Sequence, residues 1–249
     1  MKTRGFTLIE MVVTMIVGTI LVMGIAGFVE LGTKGYAQSV DRQRLQTQAQ
    51  FVLEKMTREV RHALPNVFVS DGLCLSFYPI IESGFYAVSG SDIHFIVGDE
   101  NATVGDLSDK QLVINPTQQL LAGQTLSDLP NSFSLSGVKE ISDPTISGAT
   151  FTLEGKANQL IGGSVVNRQY ISANDRQIAY CLGDEKITRK VGSGQAMPLI
   201  DTSEVKVSGA IEYQPAGVQH SGVVHIELHF SQNNETTRFE QDVQVLNVP

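Results

Sequence analysis

From Phe6 to Val29 the sequence reads FTLIEMVVTMIVGTILVMGIAGFV, 24 residues in which Glu10 is the only charged side chain. A helix rises about 1.5 Å per residue, so the stretch covers roughly 36 Å, enough to cross a bilayer core of about 30 Å. A cleaved secretory signal carries a shorter apolar region, about 7 to 15 residues, ending at a small-residue site. The length therefore predicts a membrane helix. Glu10 is the anomaly within it, because a charge at mid-membrane costs on the order of 2.5 to 3.5 kcal/mol, less near an interface. An acid in that position asks for a partner.

Lys2-Thr3-Arg4-Gly5 precede the apolar run, and the junction Gly5-Phe6-Thr7-Leu8-Ile9-Glu10 completes a pattern that resembles the class III leader and start of type IV prepilins and pseudopilins. The resemblance implies that a membrane-embedded aspartyl peptidase cuts between Gly5 and Phe6, that Phe6 becomes an N-methylated amino terminus, and that Glu10 is the assembly carboxylate. It implies a leader at residues 1–5 and a transmembrane helix at 6–29. The implied partners are other major and minor pilins, the prepilin peptidase, the inner-membrane assembly platform and membrane lipid.

Electrostatics supplies a reason for the spacing. Cleavage creates a cationic amine at Phe6 where hydration is poor, and a carboxylate on a neighbouring helix could neutralise it with far more effect than in water. Each subunit would then carry a plus and a minus one helical turn apart, which favours staggered pairing. Glu10 also complements the positive end of its own helix, worth about 0.3 to 1 kcal/mol. That explains why the acid is tolerated there, not why it is needed.

The chain has 249 residues, of which 42% are hydrophobic, so one domain of ordinary size remains beyond the anchor. Lys and Arg number 18 against 26 Asp and Glu, net −8; without Lys2 and Arg4 the balance is 16 against 26, net −10. An acidic surface argues against nucleic acid as a partner. Basic residues before the span, with Glu30 and Lys34 roughly cancelling after it, put the N-terminus in the cytoplasm and the bulk of the chain in the periplasm. In that exported part lie Cys74 and Cys181, where a disulfide would persist and would close a loop of about 107 residues, stabilising by roughly 4 to 5 kcal/mol. Two buried free thiols are the alternative; the spacing suits neither a redox CxxC nor a zinc site.

Beyond Val29 the helical pattern turns amphipathic. Leu45, Ala49, Val52, Met56, Val60 and Ala63 recur at steps of three and four, while charged residues including Lys55, Arg58 and Glu59 occupy the other faces. Pro65 predicts an end near Leu64, giving an amphipathic half over residues 30–64. Gly24, Gly27, Gly32 and Gly35 crowd the junction, each costing about 1 kcal/mol relative to Ala, and mark the expected bend. The segment Val52 to Asn66 resembles the helix end of the larger minor pilins, the W-type and J-type groups. With the leader it is similar to the O-type minor pilins of mannose-sensitive haemagglutinin (MSHA) pili. Such subunits work in filament assembly and initiation, with transport to the cell surface as part of the pilus.

After Pro65 the helical period gives way to short β-type runs, at residues 73–78, 93–97, 150–153, 165–171, 177–182, 205–213, 223–230 and 236–245. The strongest is the last pair, where Val224, Ile226, Leu228 and Phe230 alternate with His225, Glu227 and His229 ahead of a polar turn and Phe239, Val243 and Val245. Residues 98–148, rich in Gly, Ser, Asp and Pro, read as long surface loops. The expected fold is α+β: a long N-terminal helix, transmembrane then amphipathic, packed on an antiparallel β-sheet in a β-rich domain over 65–249.

Candidate chemistry is thin. His225 and His229 on a strand would stand about 13 Å apart, too far to share an ion held at about 2 Å from each. The acidic loop Asp99 to Asp109 has oxygen ligands for calcium, but Val104 stands where an EF-hand needs glycine and Lys110 where it needs the bidentate acid. Nucleophile-elbow and phosphate-loop patterns are absent, so neither catalysis nor a metal or other cofactor is expected. The rivals to a fibre subunit are a tip adhesin binding carbohydrate, a J-type subunit of a type II secretion system, and a membrane-anchored enzyme whose activity would survive loss of Glu10.

Overall fold

The computed structural model describes residues 5–141, 149–217, 221–233 and 235–245. Residues 1–4 of the expected leader, 142–148 of the expected middle loops and Asn234 of the expected last turn lie outside them. The chain divides into two units, Met1–Thr47 and Gln48–Pro249.

The helix α1 runs from Leu8 to Arg61, 54 residues, without interruption. The expected bend at the glycines is not there: Gly24, Gly27, Gly32 and Gly35 all lie within regular helix, with nothing within 4 Å of where a Cβ would stand. An i,i+4 pair of Lys34 with Glu30 at 2.7 Å supports the helix locally. Its C-terminus comes three residues before the expected one. The His62 N–H bonds the Glu59 carbonyl at 3.2 Å in a tightened last turn, and Nδ1 of His62 lies 2.8 Å from the Arg58 carbonyl.

In the second unit the last helical turns bury a stripe: Ala49, Val52, Met56 and Val60 are all fully shielded. The strand β1 (Ala63–Ser70) follows at once, so Ala63 and Leu64 belong to the sheet, and Pro65 lies inside a strand rather than after a helix. The ladder explains the tolerance. β1 pairs with β2 (Cys74–Pro79) at Ala63 and again from Phe68, with a register shift between, and there Asn66 adopts φ 61°. Proline is accepted where the ladder is broken.

Three antiparallel sheets build the rest. The first has the order β1, β2, β10 (Ile178–Gly183), β11 (Lys186–Val191) and β12 (Met197–Pro198). On the face that meets α1, Phe68, Phe77 and Tyr180 form an aromatic row with ring centroids 5.6 and 6.3 Å apart. The second has seven strands in the order β6 (Ser132–Ser134), β5 (Gln111–Ile114), β9 (Arg168–Ser172), β3 (Glu82–Ser89), β4 (Asp92–Val97), β8 (Thr150–Leu153) and β7 (Lys139–Ile141). One side of it packs Phe95, Phe151, Leu112 and Ile171 with Leu107 of a short helix α2 (Val104–Leu107). The other side packs Val113 and Tyr170 with Leu64, Val67 and Tyr78 from the first sheet.

The third sheet is a meander of β13 (Lys206–Gln214), β14 (Val223–Gln232) and β15 (Glu235–Gln244). The alternation on β14 is as the residues indicate, with Val224, Ile226, Leu228 and Phe230 fully buried. Gly209 makes the pairing with β14 possible: at φ 144° a Cβ there would fall 1.9 Å from the Glu227 carbonyl oxygen. The middle of the chain departs most from expectation. Where loops were expected, α2, β5, β6 and β7 occur, and all four residues of β5 are buried between both sides of the seven-stranded sheet.

Candidate assembly site

At the N-terminus the described chain enters α1 through three non-helical residues, Gly5, Phe6 and Thr7. Phe6 is 78% exposed. The Thr7 carbonyl accepts the first helical hydrogen bond, from the Met11 N–H at 3.2 Å, so Glu10 falls in the first turn at the positive end of the helix. Apolar side chains then project on every side: Leu8, Ile9, Met11, Ile16, Ile20, Met23 and Phe28 are all exposed. A helix apolar all round is built to be covered, by lipid or by other helices.

The polar groups of this stretch differ in how they are satisfied. Thr14 donates to the Met11 carbonyl at 2.9 Å and Thr19 to the Met15 carbonyl at 2.8 Å, the arrangement a hydroxyl needs where water is scarce. Glu10 makes no hydrogen bond or ion pair among the described residues. It stands four residues beyond Phe6 in the sequence.

At the other end of α1 the situation is reversed. Glu59, one of the charges assigned to the outer faces from the sequence, turns inward. Its Oε2 accepts from Tyr180 Oη at 2.6 Å and Arg189 Nε at 2.9 Å, and its Oε1 lies 3.2 Å from Lys55 Nζ. Tyr180 and Arg189 face each other across β10 and β11, on the side of the first sheet that carries the aromatic row. Burial by itself would push the Glu59 carboxyl up; the hydrogen bonds from Arg189 and Tyr180, with the guanidinium charge, outweigh it and hold the group below its ordinary range. Burial, and the hydrogen bond to Glu59, push the Tyr180 phenol far up, so it stays a donor. Within the second unit, this network anchors the last turns of the helix to the first sheet. Nothing local in the sequence signals it, because the partners stand 121 and 130 residues away.

Cys74 and Cys181 are directly opposed on β2 and β10 and joined by a disulfide, on the sheet face turned away from Tyr180. His225 and His229 do not share a site: Nδ1 of His225 lies 2.6 Å from Asp242, and Nε2 of His229 lies 2.9 Å from Glu227. In the acidic loop, Asp106 accepts from both Thr103 N–H and Oγ1 in a capping box, Asp99 accepts from the Asn101 N–H, and the Lys110 amine reaches the Asp106 carbonyl. Those oxygens are engaged in local turns.

A family model, the prokaryotic N-terminal methylation motif, matches residues 1–26. The motif supports a type IV pilin-like protein. The motif belongs to proteins processed by prepilin peptidase, structural rather than enzymatic, that interact with other pilins. With the exposed apolar helix it fits an inner-membrane anchored pilin. No curated protein and no solved structure gives a significant match.

Proposed function

We propose that this pilin-like chain is a minor subunit that is cut between Gly5 and Phe6, N-methylated on Phe6, and drawn through Glu10 into a type IV pilus of the mannose-sensitive haemagglutinin type. Before assembly it sits in the inner membrane with its N-terminus cytoplasmic and its β-rich unit periplasmic, held by lipid and by the assembly platform. The observation that carries this reading is an acid in the first turn of an apolar helix, unpartnered among the described residues, while the threonines beside it satisfy themselves. A group left that way is stabilised when a second subunit brings the amine of Phe6 to it.

Its large second unit, with three sheets on one helix end, favours a place at the tip or in the priming complex. A bulky head disturbs a repeating shaft more than it disturbs an end. Mass spectrometry of the protein extracted from membranes tests the processing: N-methyl-Phe6 at the terminus is the expected result, and an intact Met1 or a cut near Ala26 overturns it. Immunogold labelling confined to pilus ends tests the position, and uniform labelling along the shaft overturns that.

A further inference from the structure

The outward face of the third sheet brings together side chains that no assembly role uses. Register on β14 and β15 opposes His225 to Asp242, Glu227 to Glu240 and His229 to Arg238. On the other flank β13 places Glu212 opposite His225. One ligand-type atom from each of His225, Glu227 and Glu240 lies within 4.8 Å of the other two. From the sequence alone only His225 and His229 stand out, and strand spacing separates them; the third partner, Glu240, arrives from the next strand.

We propose that His225, Glu227 and Glu240 form a site for a single divalent transition-metal ion, with zinc the best-suited probe. Three features beyond proximity point that way. Nδ1 of His225 lies 2.6 Å from Asp242 Oδ1, which makes Nδ1 the donor and leaves the Nε2 lone pair for a metal. A carboxylate behind a ligating imidazole is the usual arrangement, since it fixes the tautomer and raises the basicity of the ring. Glu227 and Glu240 face each other directly across the ladder, a like-charge pair that draws a cation, a role Arg238 fills here. Finally, the contacts of the two acids with Arg238 and His229 fall on Oε1: Arg238 Nε and His229 Nε2 both stand 2.9 Å from Glu227 Oε1, and Arg238 Nη2 stands 2.6 Å from Glu240 Oε1. Oε2 of each is left for the ion.

One nitrogen and two oxygens, with water in the fourth position, suit a tetrahedral zinc ion. The support is rigid, because the alternate side chains of β14, Val224, Ile226 and Leu228, are locked in the core. Arg238 is the competitor already in place, since its guanidinium neutralises the same two acids. A bound ion would tie β15 to β14 from outside, beside the His225–Asp242 and Arg238–Glu227 pairs.

Equilibrium dialysis of the full chain in detergent against zinc chloride, with metal content measured per chain, tests the site. The expected result is one zinc per chain, with affinity lowered more than about tenfold by His225→Asn or Glu240→Gln and about tenfold by Asp242→Asn. Arg238→Gln should tighten binding by removing the competing cation. His94→Asn, in the seven-stranded sheet, should change nothing. All are exposed or half-exposed positions, and unfolding midpoints without metal should match the wild type, so lost binding reads as lost ligands. No stoichiometric zinc in the wild type, or affinity indifferent to His225→Asn and Glu240→Gln, overturns the proposal.

Discussion

Two glutamates on one helix mark its two regions. Glu10 has no partner among the described residues, whereas Glu59 has three, and two of them lie on strands far along the chain. The glycines divide the same way. Gly27 in α1 has open space around it, while Gly209 on β13 has the Glu227 carbonyl oxygen 1.9 Å from where a side chain would begin. The second unit answers Glu59 and closes around Gly209 from within. The first unit is a helix whose apolar surface is exposed and whose Glu10 has no partner among the described residues.

The largest effect should come from Glu10→Gln. The substitution removes a charge with no partner among the described residues, so the unfolding midpoint of the second unit, followed by circular dichroism in detergent, should stay within about 1 °C of the wild type, as for a surface change of under about 0.5 kcal/mol. Incorporation into pili, measured by immunoblot of sheared filaments, should be lost. Normal incorporation would break the comparison at its centre, because Glu10 would then need no outside partner.

Gly209→Ala tests the opposite claim, that the second unit is closed. The methyl would have to displace the β14 backbone or abandon the ladder, and φ 144° is a conformation alanine adopts only under strain. A loss of about 2 to 4 kcal/mol in chemical denaturation is expected. A loss under about 0.5 kcal/mol would show that β13 and β14 are loosely held.

Glu59→Gln comes next. It leaves Arg189 facing a neutral amide, and because the Glu59 side chain is 19% exposed the expected loss is about 2 kcal/mol, below the range for breaking a fully buried pair. The pH dependence follows from the sign of the shift. A carboxyl lowered from its ordinary value of 4.5 contributes stability that is fully present above that pH. As pH falls through the depressed folded value the contribution disappears. Wild type and Glu59→Gln should therefore differ by a constant amount at neutral pH and converge only as pH falls below 4.5 and through the depressed folded value, in urea titrations; a difference that grows on acidification would contradict the anchor.

What could be read in advance follows the same division. The apolar run, the stripe of Ala49, Val52, Met56 and Val60, and the alternation on β14 are local periodic patterns, and the chain folds accordingly. The departures have physical causes. Pro65 ends the helix by local rules, yet a broken register in β1 accepts it inside a strand. Strands of three or four residues, such as Gln111–Ile114 and Ser132–Ser134, are too short to show a period and are made by their neighbours in the sheet. Glu59 reads as a solvated charge because its stripe is defined by the apolar residues alone; its partners come from strands formed more than a hundred residues later. At the N-terminus the reverse holds. Gly5, Phe6 and Glu10 are legible because they lie in a contiguous stretch, residues 1–26, that a family model matches.

Gly27→Ala is the smallest of these changes and the sharpest control on the first unit. Alanine is favoured over glycine by about 1 kcal/mol in a helix interior, and no atom lies within 4 Å of the added methyl. In detergent the full chain should gain slightly in helical content on heating, with the unfolding midpoint of the second unit unchanged. A shifted midpoint would mean that the apolar half of α1 takes part in the stability of the sheets. If instead helicity rises while incorporation into filaments falls, the space at Gly27 is filled by a neighbouring helix in the assembled state, where small residues let backbones approach closely. The contrast between an open and a closed glycine would then describe the lone subunit alone, and the first unit would acquire in the fibre the same close packing that Gly209 shows in the second.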